Sequence, residues 1–210
     1  PDGWTIDDTG VPAGGVTEWR GWNFATVEFW DTVAGQGRSG FTKGTGAVAI
    51  ADGDEWDDLG RDEGTMNTYL STPAIDISDV KPGSLNLQVD VSWNPENDQK
   101  GNITASFDGG PAVELMLFDS SVPQDINGTY VLPIDNPSGA QSVVLTFGYF
   151  DAGNNWWIAV DNIKLTGEPA PLFYEDFNGV PLGDSVDELN EGVPYPNSWT
   201  KTAPAGWTID

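Results

Sequence analysis

The sequence predicts an all-β fold, a β-sandwich, on three observations. The chain of 210 residues contains 26 Gly and 15 Pro, which interrupt it too often for long helices. Ten Trp, nine Phe and five Tyr supply bulky apolar surface for a core. Several short segments alternate apolar and polar residues, and no segment shows a convincing helical period. We therefore expect short strands packed in two sheets.

The strands follow from this alternation in chain order. Residues 46–52 (GAVAIAD) form an apolar run, and residues 84–93 (SLNLQVDVSW) place Leu, Leu, Val, Val and Trp on one face. Residues 102–107 and 112–118 flank the turn DGGP, whose glycines supply the positive φ that a hairpin needs. Further strands are expected at 129–134, 142–150, 154–167 and 171–177.

A seven-residue segment at the start of the sequence recurs, with one difference, at its end. PDGWTID at 1–7 recurs as PAGWTID at 204–210. The stretch GEPAP at 167–171 has the composition of a linker. We therefore expect a main body at 1–166, a short linker, and at 172–210 the opening segment of a next repeat. On this interpretation the 210 residues are one period of a tandem array, taken from a longer protein.

Charge and missing residue types narrow the function. The chain has 33 Asp and Glu against 8 Lys and Arg, a formal net charge of −25. Such a charge repels nucleic acid and anionic membranes and favours cations, calcium among them. The absence of Cys and His excludes disulfides, zinc–thiolate sites and the commonest general base. With no apolar run of transmembrane length, we expect no direct membrane insertion.

Four segments carry a family resemblance when 172–210 is joined to the front. They are YEDF (174–177), the P-x-G-W-T-I-D element, NTYLSTPAIDIS (67–78) and NWWIAVDNIKLTG (155–167). In this order they resemble the cleaved-adhesin and MAM-like jelly-roll domains of bacterial secreted proteins. The Trp- and Gly-rich residues 16–63 have no obvious counterpart in the shorter members.

The resemblance implies a two-sheet antiparallel jelly roll whose opening and closing strands lie side by side. Such domains are mostly extracellular, either secreted or on the cell surface, often occur in tandem, and commonly bind calcium for stability. The opening strand at 172–177 would either complete or exchange with a neighbouring repeat, or fold back onto 156–165.

Two calcium sites are candidates. Residues 52–63 (DGDEWDDLGRDE) hold seven acidic residues in twelve, and Asp52, Asp54, Asp57 or Asp58 could supply the hard oxygen ligands that calcium prefers. The alternative is a solvated acidic loop. By the resemblance, a second ion would lie between Asp161 and Glu175, where the opening and closing strands meet. The alternative is that these two acids cap turns or face solvent.

Tryptophan supplies a second signal. In NWWIAV the adjacent Trp156 and Trp157 are expected on opposite sides of a strand, so not every Trp can point inward. Aromatic rings beside acids and amides can stack a sugar ring and bond its hydroxyls. Packing against a neighbouring sheet, domain or subunit is the simpler alternative. The candidate residues are Trp22, Trp30, Trp56, Trp156 and Trp157.

These features favour a non-catalytic extracellular repeat that builds an adhesive fibre. Its partners would be neighbouring copies of the same repeat, with calcium for stability and strand exchange as one route of assembly. The alternative is a carbohydrate-binding module of a secreted multidomain protein, with a polysaccharide as partner. A paired-carboxylate glycosidase needs no His, but nothing in the sequence singles out such a pair, so no enzyme is expected.

Overall fold

The computed structural model describes residues 2–168, 171–175, 178, 180, 182–183 and 199–200, and for 171–175 and 199–200 only the backbone. These residues form two antiparallel sheets, which confirms the predicted all-β sandwich. The strands are β1 Thr5–Asp7, β2 Asn23–Thr26, β3 Ala47–Asp52, β4 Met66–Ser71, β5 Ile75–Asp76, β6 Leu85–Trp93, β7 Lys100–Phe107, β8 Ala112–Phe118, β9 Asp125–Ile134, β10 Ser142–Ala152, β11 Trp157–Thr166, β12 Pro171–Glu175 and β13 Trp199–Thr200.

The six-stranded sheet has the order β1-β4-β10-β7-β8, and β5 pairs with β10 beside β4. The seven-stranded sheet has the order β13-β2-β3-β11-β6-β9, and β12 pairs with β11. Inward-facing residues of the two sheets meet in one core. Trp93 of β6, for example, lies 5.6 Å from Phe118 of β8 between ring centroids.

In the described residues two short α-helices interrupt the strands, α1 Val27–Ala34 and α2 Gly53–Asp57, together with 3₁₀ turns at Thr17–Trp19 and Arg38–Gly40. The sequence did not predict α1, because eight residues make only about two helical turns, too few for a clear period. Thr26 caps its start, since its Oγ1 accepts a hydrogen bond of 3.1 Å from the N–H of Phe29. None of the described helices is long and apolar enough to span a bilayer.

The strand after the linker folds back onto its own chain. β12 pairs antiparallel with the second half of β11, with Glu175 opposite Ile163. The first half of β11 pairs with β3 on the same side. Of the two placements that the sequence left open for this strand, the structure shows the fold-back onto 156–165. The division of the chain into one repeat and the start of the next stays a prediction.

A segment of residues 27–46 covers the outer face of the seven-stranded sheet, and we call it the covering segment. Ile158 of β11 points inward, because a β-carbon at Gly101 of the opposite sheet would lie 2.9 Å from its Cδ1. The adjacent Trp157 therefore points outward, where its ring lies 5.3 Å from that of Trp30 in α1. The covering segment lies within the Trp- and Gly-rich residues 16–63.

Candidate functional site

The acidic stretch meets the covering segment at a buried arginine. Arg38 is fully buried, and its Nε and Nη2 donate to the two carboxylate oxygens of Asp52 at 2.8 and 3.1 Å. Nη2 also lies 3.0 Å from Asp54 Oδ2 and 3.2 Å from Glu55 Oε1. A bidentate guanidinium–carboxylate pair is the strongest arrangement these groups offer.

Aromatic rings complete the surroundings of this arginine. Trp30 Nε1 donates to Asp52 Oδ2 at 2.7 Å, so that one oxygen accepts from two donors. The guanidinium carbon of Arg38 lies 4.5 Å from the ring centroid of Trp157, within cation–π range. The buried charge of Arg38 is therefore compensated by carboxylates of the chain itself.

Three of the four acids predicted as a calcium site at residues 52–58 have arginine partners in the fold, and a calcium ion there stays a prediction. Asp52 and Asp54 bind the guanidinium of Arg38, and Asp57 pairs with Arg61. Within the described ranges, no group of three or more acidic side chains converges as a metal site. The sequence showed the acids but not that an arginine fourteen positions earlier supplies their countercharge.

Burial changes the ionisation of the cluster. Burial, followed by the charge of Asp52, raises the pKa of Glu55 from its usual 4.5 to about 9. At neutral pH this carboxyl is therefore protonated. The pKa of Asp58 is also raised, by partial burial and by the charges of Asp54 and Asp57.

Four of the five candidate tryptophans lie inside the fold, so the exposure expected of these rings is not observed. Trp22, Trp30, Trp56 and Trp157 are each at most 1% exposed, and Trp156 is half-buried. They pack within this chain, as the simpler alternative held. Trp56, for example, donates from Nε1 to the Gly14 carbonyl at 3.1 Å.

The second calcium candidate lies where β11 meets the covering segment. Asp161 is fully buried, and its Oδ2 accepts from the N–H of Thr45 at 3.0 Å. The backbone register places Glu175 opposite Ile163, two residues from Asp161, and the Glu175 side chain lies outside the described part of the chain. Of the ligands predicted for this ion, the described residues supply one carboxylate.

The opposite outer face, that of the six-stranded sheet, has no covering segment among the described residues, and we call it the open face. Burial alternates along its strands, with Leu70 and Phe147 fully buried and Tyr69 the most exposed ring. The register aligns the outward-pointing residues in two rows across five strands. The rows are Thr5, Ser71, Thr146, Thr104 and Glu114, and Asp7, Tyr69, Gly148, Asn102 and Leu117.

An aromatic pair lies at the middle of the open face. The rings of Tyr69 and Phe150 stack with centroids 6.4 Å apart. Gly148 lies between Tyr69 and Asn102, and a β-carbon there would meet the amide oxygen of Asn102 and come within 3.1 Å of the tyrosine ring. Because Gly148 has no side chain, the Tyr69 ring and the Asn102 amide can both lie over β10.

Polar groups surround this pair. Lys100 bonds Asp151 at 2.7 Å, with its Nζ 6.0 Å from the Phe150 ring centroid. Ser71 and Thr146 share a hydrogen bond of 2.8 Å. An open cavity of about 640 Å³ extends the face beyond Phe150, and Asn97, Asp98 and Asn154 line it with Lys100 and Asp151. Partial burial, then Asp151 and Asp7, raise the pKa of Tyr69.

Sequence reasoning missed this site, although a signal for it was present. In β4 the alternation MNTYLS places Tyr69 with Asn67 and Ser71, on the side opposite to the apolar residues. In β10, Tyr149 and Phe150 are adjacent, and only the register from Phe147 shows that Phe150 faces outward. The aromatic candidates from the sequence were all tryptophans, and the fold buries most of their rings.

Fold and site together define a β-sandwich with one covered and one open sheet face. No family model and no curated protein matches the chain. The K1 cleaved adhesin domain of Lys-gingipain from Porphyromonas gingivalis W83 is similar in structure, at 19% identity over 80% of this chain and 92% of that one, with a TM-score of 0.49. TmCBM61 in complex with β-1,4-galactotriose shows 13% identity, 79% and 89% coverage and a TM-score of 0.45. Function has to be inferred from the residues of this chain.

Proposed function

We propose that this chain is a non-catalytic extracellular module that binds a polysaccharide through its open face. The observation that carries the proposal is the pair of exposed Tyr69 and half-buried Phe150 beside the amide of Asn102, on a sheet face that has no covering segment among the described residues. Aromatic rings stack on the apolar face of a sugar ring, while amides and hydroxyls bond its edge.

The shape of the face favours a chain over a single sugar. Neighbouring strands are about 4.8 Å apart, so the row from Asp7 to Leu117 spans roughly 19 Å. An extended glycan could therefore cross the strands and contact Tyr69 and Asn102 at its centre.

The charge of the face favours a neutral glycan. Asp7, Asp98 and Asp151 lie on or beside it, and the chain as a whole has a formal charge of −25. Lys100 is already paired with Asp151. A sulfated or carboxylated polysaccharide would therefore be repelled at low salt.

The test is calorimetric titration against soluble neutral polysaccharides, namely β-glucan, galactan and mannan, with alginate as the anionic comparison. Tyr69→Ala should weaken binding to the preferred neutral glycan by about tenfold, which is a change of about 1.4 kcal/mol. Val131→Ala is the matched control, because Val131 is an exposed apolar side chain of the other sheet. Equal affinity of both variants, or no binding in the neutral panel, would contradict the proposal.

A second candidate, the adhesive fibre, is supported by the recurrence of P-x-G-W-T-I-D at 1–7 and 204–210. On this proposal neighbouring copies of the same repeat associate end to end. Electron microscopy across a concentration series tests it. Filaments of uniform diameter support the fibre, and single particles at every concentration exclude it for this chain.

Calcium at Asp161 and Glu175 belongs to the same proposal. Asp161 is a buried carboxylate beside the backbone of the covering segment, where an ion would join two parts of the fold. Chelation should lower the melting temperature of the parent chain and leave that of Asp161→Asn unchanged. Asp79→Asn, at an exposed aspartate, is the control and should respond like the parent. Identical parent melts with and without chelator would exclude the ion.

A further inference from the structure

The six-stranded sheet ends in a short edge strand that a specific groove holds. β1 pairs with β4, with Ile6 opposite Leu70. Trp4 is 1% exposed and stacks on Phe147 with centroids 6.3 Å apart, and Ile6 is also buried. We call this site, formed by the edge of β4 with Phe147 and Pro73, the β1 groove.

The groove is selective at the residue before the tryptophan. Gly3 has a φ of +80°, and a β-carbon there would lie 3.0 Å from Cβ of Pro73. A glycine is therefore required by conformation and by space. The preceding Asp2 is exposed. The groove thus selects glycine, tryptophan and isoleucine, and makes no demand at position 2.

The sequence contains a second segment that meets these requirements. Gly206, Trp207 and Ile209 repeat the three selected residues at the same spacing. The single difference between the two copies is Ala205 in place of Asp2, at the position that the groove leaves exposed. One groove in the described part of the chain therefore has two matching ligands in the sequence.

The last described strand before the second segment lies beside a part of the fold that contacts β4. β13 pairs with β2, with Thr200 opposite Phe24. Two residues before Phe24, the N–H of Trp22 donates to Thr68 of β4 at 3.2 Å. Five residues, 201–205, separate Thr200 from Gly206, and these six steps span up to about 20 Å when extended.

We propose that the β1 groove is a binding site with two alternative ligands, and that residues 206–210 bind it in place of residues 3–7 of the same chain. The incoming strand would use the edge of β4 by strand addition. Both copies offer the same buried side chains, so exchange costs little beyond loop closure. The proposal does not rest on glycan binding, and it is tested by stability and size alone.

The test is a double-mutant cycle in the full chain, with Trp4→Ala, Trp207→Ala and both together, melted at about 2 μM. Loss of a buried Trp without replacement should lower the melting temperature by about 10 °C. We expect that loss only in the double variant, because in Trp4→Ala the second segment fills the groove. Trp207→Ala should melt like the parent.

Sedimentation of each variant identifies the chain that supplies the strand. A monomeric Trp4→Ala that keeps its stability at 2 μM supports exchange within one chain. Equal losses in Trp4→Ala and the double variant overturn the proposal, as does rescue that requires dimers at high concentration. If the double variant does not fold, Ile6→Ala and Ile209→Ala provide the same cycle with smaller losses.

Discussion

The two outer faces of the sandwich use the same kinds of residue for different purposes. Where the covering segment meets its sheet, Trp30, Trp157 and Asp52 surround Arg38 and are buried with it. On the open face, Tyr69 and Phe150 lie beside Asn102 and Asp151 in contact with solvent. Aromatic rings and acids therefore do not indicate a ligand site by themselves.

The two faces differ in the hydrogen-bond partners of their polar side chains. Both Asp52 oxygens accept from side chains within the fold, so nothing remains for a ligand. Hydroxyls and amides of the open face contact water and can exchange it for a sugar. The covering segment turns one sheet face into a second, polar core, whereas the other face stays open to solvent.

The largest expected effect comes from breaking the buried cluster. Arg38→Met removes the countercharge of Asp52 and should lower the free energy of unfolding by about 3–5 kcal/mol. Urea denaturation measures this loss. Lys100→Met, at an exposed ion pair of the open face, is the control and should shift the midpoint little. Equal losses in both variants would mean that the two faces do not differ in this way.

A second effect, which depends on pH, follows from the raised pKa of Glu55 on the covered face. Below pH 4.5 Glu55 is protonated in both the folded and unfolded chain, whereas between 4.5 and about 9 only the unfolded chain releases the proton. Glu55 therefore costs the fold stability progressively as pH rises through that window. Glu55→Gln should lose less stability than the parent between pH 5 and pH 9, as urea midpoints at several pH values would show. If the urea midpoints of the parent and of Glu55→Gln change with pH to the same extent, the raised pKa of Glu55 is contradicted.

The smallest effect on stability is expected on the open face. Tyr69 is 36% exposed, so Tyr69→Ala should change the free energy of unfolding by no more than about 1 kcal/mol. Thermal melts beside the glycan titrations measure this. A loss as large as that of Arg38→Met would make Tyr69 a structural residue, and its effect on binding would no longer identify a site.

Most of the fold could be predicted from local pattern. The alternation at 84–93 and the turn between β7 and β8 identified strands that the structure contains. α1 was missed because it is short, and its stability comes from packing and from the Thr26 cap. The partner of Asp52 and the outward side of Phe150 depend on contacts distant in sequence, which a local pattern does not contain.

The placement of the tryptophans also determines what indole fluorescence and circular dichroism can measure in this protein. All eight tryptophans with described side chains lie away from the open face, and Trp30, Trp156 and Trp157 meet edge to face at 5.3 and 5.6 Å. Indole emission and the exciton coupling of these rings therefore follow the integrity of the covered face. A glycan on the open face would meet a tyrosine and a phenylalanine, and would leave the indole signal almost unchanged. The chain thus has an intrinsic optical probe of folding that is separate from its proposed site of recognition.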